Sequence, residues 1–135
     1  MTTVVIDSSA IVDLLYCRDV KEWYSPLARH DLLAPESIVP EIVSVARRLS
    51  RREGESPSQI EKMLTDFLGV EIEYFAQEPL MQSAWRLRDN VSAYDAMYVA
   101  LASTLRVPLV TSDKRLARAV TGECEVLDLD GLLQG

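Results

Sequence analysis

Apolar residues along the chain fall into two alternating rhythms. Val4-Val5-Ile6 and Leu109-Val110 are short continuous runs that end in polar residues, as strands buried on both faces do. Between such runs the apolar positions recur every three or four residues, the spacing of helices. Ile11, Leu14 and Leu15 follow the first run; Val20, Trp23, Tyr24 and Leu27 make a stripe over residues 19–29, shortened by Pro26. Ile42, Val45, Ala46 and Leu49 line a helix that Pro40 begins and Gly54 stops. Ser56-Pro57 starts another, with Ile60, Met63, Leu64 and Phe67 inward and Gly69 as its C-cap, so the two form a hairpin between strands.

The rest of the chain continues the pattern. Leu32-Leu33-Ala34 reads as a weaker strand, and Val70, Ile72 and Tyr74 alternate with Glu71 and Glu73 as in a strand with one wet face near a sheet edge. Residues 78–89 are helical, with Leu80, Ala84 and Leu87 inward, followed by Val91. Residues 92–106 carry Ala93, Ala96, Ala100 and Ala102 among larger apolar side chains, which permits close packing and points to a central helix. A short helix over 114–120 and a last strand at Val126-Leu127 precede a short tail. Strands and helices alternate throughout, so the expected fold is α/β: a three-layer α/β/α sandwich with a mainly parallel sheet, in one domain over residues 1–135.

Composition narrows the function. The chain is 48% apolar and 26% charged, which is ordinary globular composition. No run spans a bilayer and Asp7 interrupts the first apolar run, so neither a membrane segment nor a signal peptide is expected. The implied compartment is the cytoplasm, where Cys17, on an apolar helix face, and Cys124, before a strand, stay reduced and structural. Their spacing excludes a zinc site built from cysteine pairs. A net charge of -7 argues against a broad grip on nucleic acid, but not against a nuclease whose own acids add to that total, and it suits a basic protein partner.

The chemistry concentrates in acids. Asp7 and Asp113 each close an apolar strand, and in a parallel sheet those ends share one edge, where open α/β folds bind their ligands. Glu41 and Asp95 stand at the starts of helices that can reach the same crevice. Singly, each has a structural explanation: Asp7 and Asp113 as N-caps, Ser92-Ala93-Tyr94-Asp95 as a capping box, Glu41 as a charge favoured by the helix dipole. Together they ask for more, because carboxylates brought close raise one another's pKa and call for a cation. Oxygen ligands without His or Cys favour Mg²⁺ or Mn²⁺, an ion suited to hydrolysing a phosphodiester. His30, after a helix end, reads as a C-terminal cap or surface residue. Ser9, Thr111 and Ser112 are placed to hold a carboxylate or a metal-bound water, or to cap helices; Lys114, Arg115 and Arg118 are placed to meet flanking phosphates, or solvent.

Four pieces in order now match a known family: Val5-Ile6-Asp7-Ser8-Ser9-Ala10, Pro40-Glu41-Ile42, Tyr94-Asp95-Ala96-Met97-Tyr98-Val99-Ala100-Leu101-Ala102, and Leu109-Val110-Thr111-Ser112-Asp113-Lys114-Arg115-Leu116-Ala117. With these the chain resembles a PIN-domain ribonuclease, specifically the toxin of a VapBC toxin–antitoxin pair. The resemblance implies that Asp7, Glu41, Asp95 and Asp113 bind Mg²⁺ or Mn²⁺ and cleave RNA, with Thr111 in support. It also implies a homodimer and a cognate antitoxin that lays a helix across the early helices. Trp23, Tyr24 and Leu27 are candidates for that antitoxin groove or for the core, and Arg47, Arg48, Arg51 and Arg52 for contact with RNA backbone or for a solvated helix end. Two other readings share some of these residues. A receiver-type phosphoacceptor also gathers acids round Mg²⁺, but needs paired acids after its first strand; a PIN-like binding module would lack a complete acid set.

Overall fold

The apolar runs form one all-parallel sheet in the order β3-β2-β1-β4-β5, from β1 (Thr2–Ile6), β2 (His30–Pro35), β3 (Ile72–Phe75), β4 (Leu109–Val110) and β5 (Val126–Leu127). The computed structural model describes residues 2–134; residues 1 and 135 of the expected domain lie outside that range. Eight α-helices accompany the strands among the described residues: α1 (Ser8–Val12), α2 (Val20–Leu27), α3 (Ile38–Ser50), α4 (Pro57–Gly69), α5 (Met81–Arg86), α6 (Ala93–Leu105), α7 (Lys114–Ala119) and α8 (Leu129–Gln134). Val4, Val5 and Ile6 are all fully buried although alternate strand residues face opposite ways, so both faces of β1 are covered. The result is the three-layer α/β/α sandwich expected. The receiver-type alternative fails here, since that fold orders its strands 2-1-3-4-5.

The alanine-rich helix is central, as its composition suggests. Ala96, Ala100 and Ala102 are buried, and α6 packs on β1 and β2. Ser92 caps it, accepting the Asp95 amide at 3.2 Å. Its last turn ends on Arg106 in the left-handed region (φ 57).

Several elements depart from the sequence reading for identifiable reasons. β2 is the longest strand and lies inside the sheet; its polar first residues, His30 and Asp31, hid it. His30 is therefore a strand residue, and its Nε2 meets the Leu132 carbonyl oxygen at 2.9 Å. α3 begins two residues before Pro40, which costs nothing because the first-turn amides have no helical acceptor anyway. Gly69 is the last helical residue, with Val70 capping. The predicted helix over 78–89 splits into a 3₁₀ turn (Glu78–Leu80) and the shorter α5. In β3 the alternation breaks: Tyr74 is exposed and Phe75 packs inward. The expected tail is α8, whose Leu129 and Leu132 are buried and whose start is tied by the Gly131 amide to Asp128 Oδ1 at 2.7 Å. Cys17 is exposed, because a π-helical turn (Asp13–Cys17) follows α1 and moves it off the stripe held by Ile11 and Leu14.

No helix among the described residues is long and apolar enough to cross a membrane. Because α6 owes its seat on the sheet to small residues, Ala100→Leu should lower stability by about 1–3 kcal/mol through overpacking. A urea unfolding curve of that variant with an unchanged midpoint would contradict this seating.

Candidate active site

Both strands that end in acids lie side by side. β1 pairs with β4 in the register Val5 to Leu109 and Ile6 to Val110, and the Asp7 amide extends the ladder to the Val110 carbonyl at 3.1 Å. The chain leaves β1 toward β2 and β3, then returns to the other side for β4 and β5, so the strand order reverses between these two. A crevice opens at the carboxyl end of such a reversal.

Each acid is held by local chemistry. Asp7 is buried and caps α1, accepting the Ala10 amide at 2.9 Å and the Ser9 hydroxyl at 2.7 Å. Burial pushes its pKa from 3.8 to about 6; hydrogen bonds from Thr111, Ala10 and Ser9 recover part of that cost, and the Asp95 charge adds to it. Glu41, in the first turn of α3, accepts from the Ser8 hydroxyl on Oε1 and from the Tyr98 hydroxyl on Oε2, both at 3.1 Å. Burial raises its pKa too, as does Asp95. Asp95 is raised by burial and by Asp113, against Ser92 and Arg115. Asp113 caps α7, with its Oδ1 accepting the Arg115 amide at 2.9 Å and the Leu116 amide at 3.2 Å. The capping explanation therefore holds for Asp7 and Asp113, and Asp95 is coupled by charge to each of the other three acids.

A hydroxyl network underlies the acids. Ser9 Oγ lies 3.2 Å from Thr111 Oγ1 and accepts the Ser112 amide at 3.0 Å, while Thr111 Oγ1 accepts the Asp113 amide at 3.0 Å. Ser112 holds a carboxylate as expected, but one outside the four acids: its hydroxyl donates to Asp13 Oδ2, at 2.8 Å, in the π-helical turn. Sequence reasoning missed Tyr98 and Ser8 as the holders of Glu41. Tyr98 stands one helical turn after Asp95 and its ring is fully buried, so its hydroxyl needed a partner; that spacing was available as a signal.

The other candidates divide. Lys114, Arg115 and Arg118 are exposed beside Asp113. Arg47, Arg48, Arg51 and Arg52 are exposed at the far end of α3, with Arg51 about 15 Å along the axis from Glu41 at the helical rise per residue. Trp23, Tyr24 and Leu27 line a groove of about 700 Å³ at the amino ends of the strands, with Trp23 and Leu27 buried and Tyr24 68% exposed. Trp23 Nε1 and His30 Nδ1 in its wall are buried without a hydrogen-bond partner among the described residues.

The donor chemistry suits a hard divalent cation, being oxygen throughout, and the buried, raised Asp7 carboxylate would be relieved by one. Among the described residues no three acids, histidines or cysteines already stand together as a cage. Mg²⁺ does not require one, since it binds through one or two carboxylates and keeps several waters.

Residues 4–121 match the PIN domain family. The chain belongs to that family. Among relatives of this PIN domain, Ribonuclease VapC3 of Mycobacterium tuberculosis is 35% identical over 121 residues, 86% of each chain. Ribonuclease VapC1 of the same organism is 34% identical over 133 residues, 93% of this chain and 97% of its own. Solved structures share the fold: PAE2754 from Pyrobaculum aerophilum has a TM-score of 0.77 at 20% identity, covering 98% of this chain and 88% of its own. VapBC-5 from Mycobacterium tuberculosis, a member of the VapBC family of toxin-antitoxin systems, has a TM-score of 0.63 at 16% identity, covering 95% and 98%.

The Asp7 carboxylate gives this PIN domain a distinctive pH dependence. Because its folded pKa is raised, its contribution to stability is whole below pH 3.8 and is lost as pH rises through about 6. Asp7→Asn keeps the cap and removes the charge, so it should stabilise the metal-free protein by ~2–3 kcal/mol above that window and by nothing below it. Parallel urea titrations at the two extremes check this; equal midpoints for the two proteins at neutral pH would contradict the burial cost.

Proposed function

We propose that this protein is a Mg²⁺- or Mn²⁺-dependent endoribonuclease and the toxin half of a VapBC toxin–antitoxin pair. The observation that carries the reading is the buried Asp7, coupled by charge to Asp95, at the reversal between β1 and β4 where Asp113 also sits. The names of the VapC relatives and of the VapBC neighbours support the substrate and the partner.

Asp7, Glu41, Asp95 and Asp113 would hold the ion. When bound, it lowers the pKa of a water and offsets charge on the phosphate. The chain's own part is orientation. Ser9 and the Ala10 amide fix Asp7, Ser8 and Tyr98 fix both oxygens of Glu41, and the first turn of α7 fixes Asp113. Thr111 and Ser9 bind the β1 and β4 ends together, so the acids keep their spacing when charge is brought in. Arg115 lowers the pKa of Asp95 and stands ready for a phosphate.

The antitoxin takes the groove of Trp23, Tyr24 and Leu27. Its apolar walls suit an amphipathic segment, the unpartnered Trp23 Nε1 suits a carbonyl oxygen, and Asp31, Glu71 and Glu73 at its rim favour basic residues. A homodimer and a cytoplasmic site of action complete the reading.

Asp95→Asn should abolish cleavage of RNA while unfolding with the parent's cooperativity. Mg²⁺ or Mn²⁺ should raise the melting temperature of the parent and not of Asp7→Asn. Cleavage surviving in Asp95→Asn, or unaffected by a chelator, would remove the mechanism; a parent that neither cuts RNA nor takes up either ion would leave a PIN-like binding module. Tyr24→Glu, at an exposed position, should weaken the complex with the co-expressed antitoxin by about tenfold or more with no loss of stability. Unchanged affinity in calorimetry would move the antitoxin elsewhere.

A further inference from the structure

Past Asp113 the carboxyl end of β4 opens into a second cleft of about 640 Å³, between the π-helical turn, α7 and the start of α8. A space of that size admits a single nucleotide. Arg18 closes one wall through ion pairs to Asp13 at 3.6 Å and Asp130 at 2.8 Å, so its charge is met within the protein. Lys114 and Arg118 are not so met. They lie four residues apart on one face of α7, both are exposed, both line the cleft, and neither makes an ion pair among the described residues. Of the four acids that line the cleft, Asp13 and Asp130 pair with Arg18, Asp113 accepts the first amides of α7, and Asp128 accepts the Gly131 amide on Oδ1. The floor is apolar, formed by Ala117, Val126 and Leu127, all partly buried.

Unmet cations above an apolar shelf are what a phosphate and a base require of a surface. The cleft also shares Thr111, Ser112 and Asp113 with the ledge of acids, so a strand lying on one continues into the other. We propose that this cleft is a nucleotide subsite: it seats the nucleotide next to the scissile phosphate of a single-stranded RNA, with Lys114 and Arg118 on the flanking phosphate and the base against Val126 and Leu127. The proposal rests on the acids being the cleavage centre. Arg118 is a positioning residue in it, setting which phosphate of the strand comes to rest over Asp95 and Asp113.

Binding separates this from cleavage. A fluorescent single-stranded RNA oligonucleotide is titrated into Asp95→Asn protein with and without Arg118→Glu, across a range of salt. Arg118→Glu is expected to weaken binding about tenfold and to lower the slope of log affinity against log salt by about 0.7, the value of one lost phosphate contact on a single strand. In the protein with intact acids it should raise KM with kcat little changed, and shift the mapped cut positions. Arg86→Glu, the same charge change on α5 away from the cleft, should do neither. Equal weakening by Arg86→Glu, or an Arg118→Glu protein that binds and cuts as its parent does, overturns the subsite. Oligonucleotide bound through Arg118 but left uncut by the parent sinks the ribonuclease reading alone; no binding by any of the proteins overturns both.

Discussion

The parallel pairing of β1 with β4 is the constraint on which the rest depends. Two strands distant in sequence are locked in register by the ladder that ends with the Asp7 amide on the Val110 carbonyl. That hydrogen bond, with the Ser112 amide on Ser9 Oγ, fixes the start of α1 against the turn into α7. Much of the chemistry follows from it: the two N-cap carboxylates stand at the ends of adjacent strands, the hydroxyls of Ser9 and Thr111 come within 3.2 Å, and α6 is left to deliver Asp95 from its seat on β1 and β2. A slip of one residue between these strands would exchange the faces of Leu109 and Val110 and carry Asp113 out of step with Asp7.

The arrangement is electrostatically uphill. Three of the four acids are raised by burial, and each of these three also feels another member of the group. The protein answers chiefly with neutral donors, hydroxyls and amides, with the exposed Arg115 lowering Asp95 by its charge. Neutral donors stabilise charge while leaving room for a cation; an internal ion pair would fill the same space. Helix N-termini contribute in the same sense, since Asp7 and Asp113 cap α1 and α7 while Glu41 and Asp95 lie in the first turns of α3 and α6.

Much of this was legible in the sequence because it depends on local rules. Apolar runs ending in Asp7 and Asp113 marked strands and their edge, and the alanines of α6 marked close packing. What was illegible depends on partners distant in the chain. β2 is faint in the sequence since its first two residues are polar and its burial comes from its neighbours. α8 reads as a tail in the sequence, as Gly131 and its short length mask the pair Leu129 and Leu132, which become meaningful only against α2. The π-helical turn leaves no mark in composition, yet it exposes Cys17 and aims Asp13 at the Ser112 hydroxyl. Tyr98 stood in plain view at helical spacing from Asp95, and was missed because a buried aromatic reads as core before its hydroxyl is considered.

The two borders of the sheet carry one further consequence. β3 is four residues long with exposed Glu73 and Tyr74, Glu71 precedes it, and β5 at the opposite border has only two residues. Short, acid-bearing margins repel an incoming strand of a like molecule. Continuation of the ladder from one molecule into the next is thereby disfavoured at both borders.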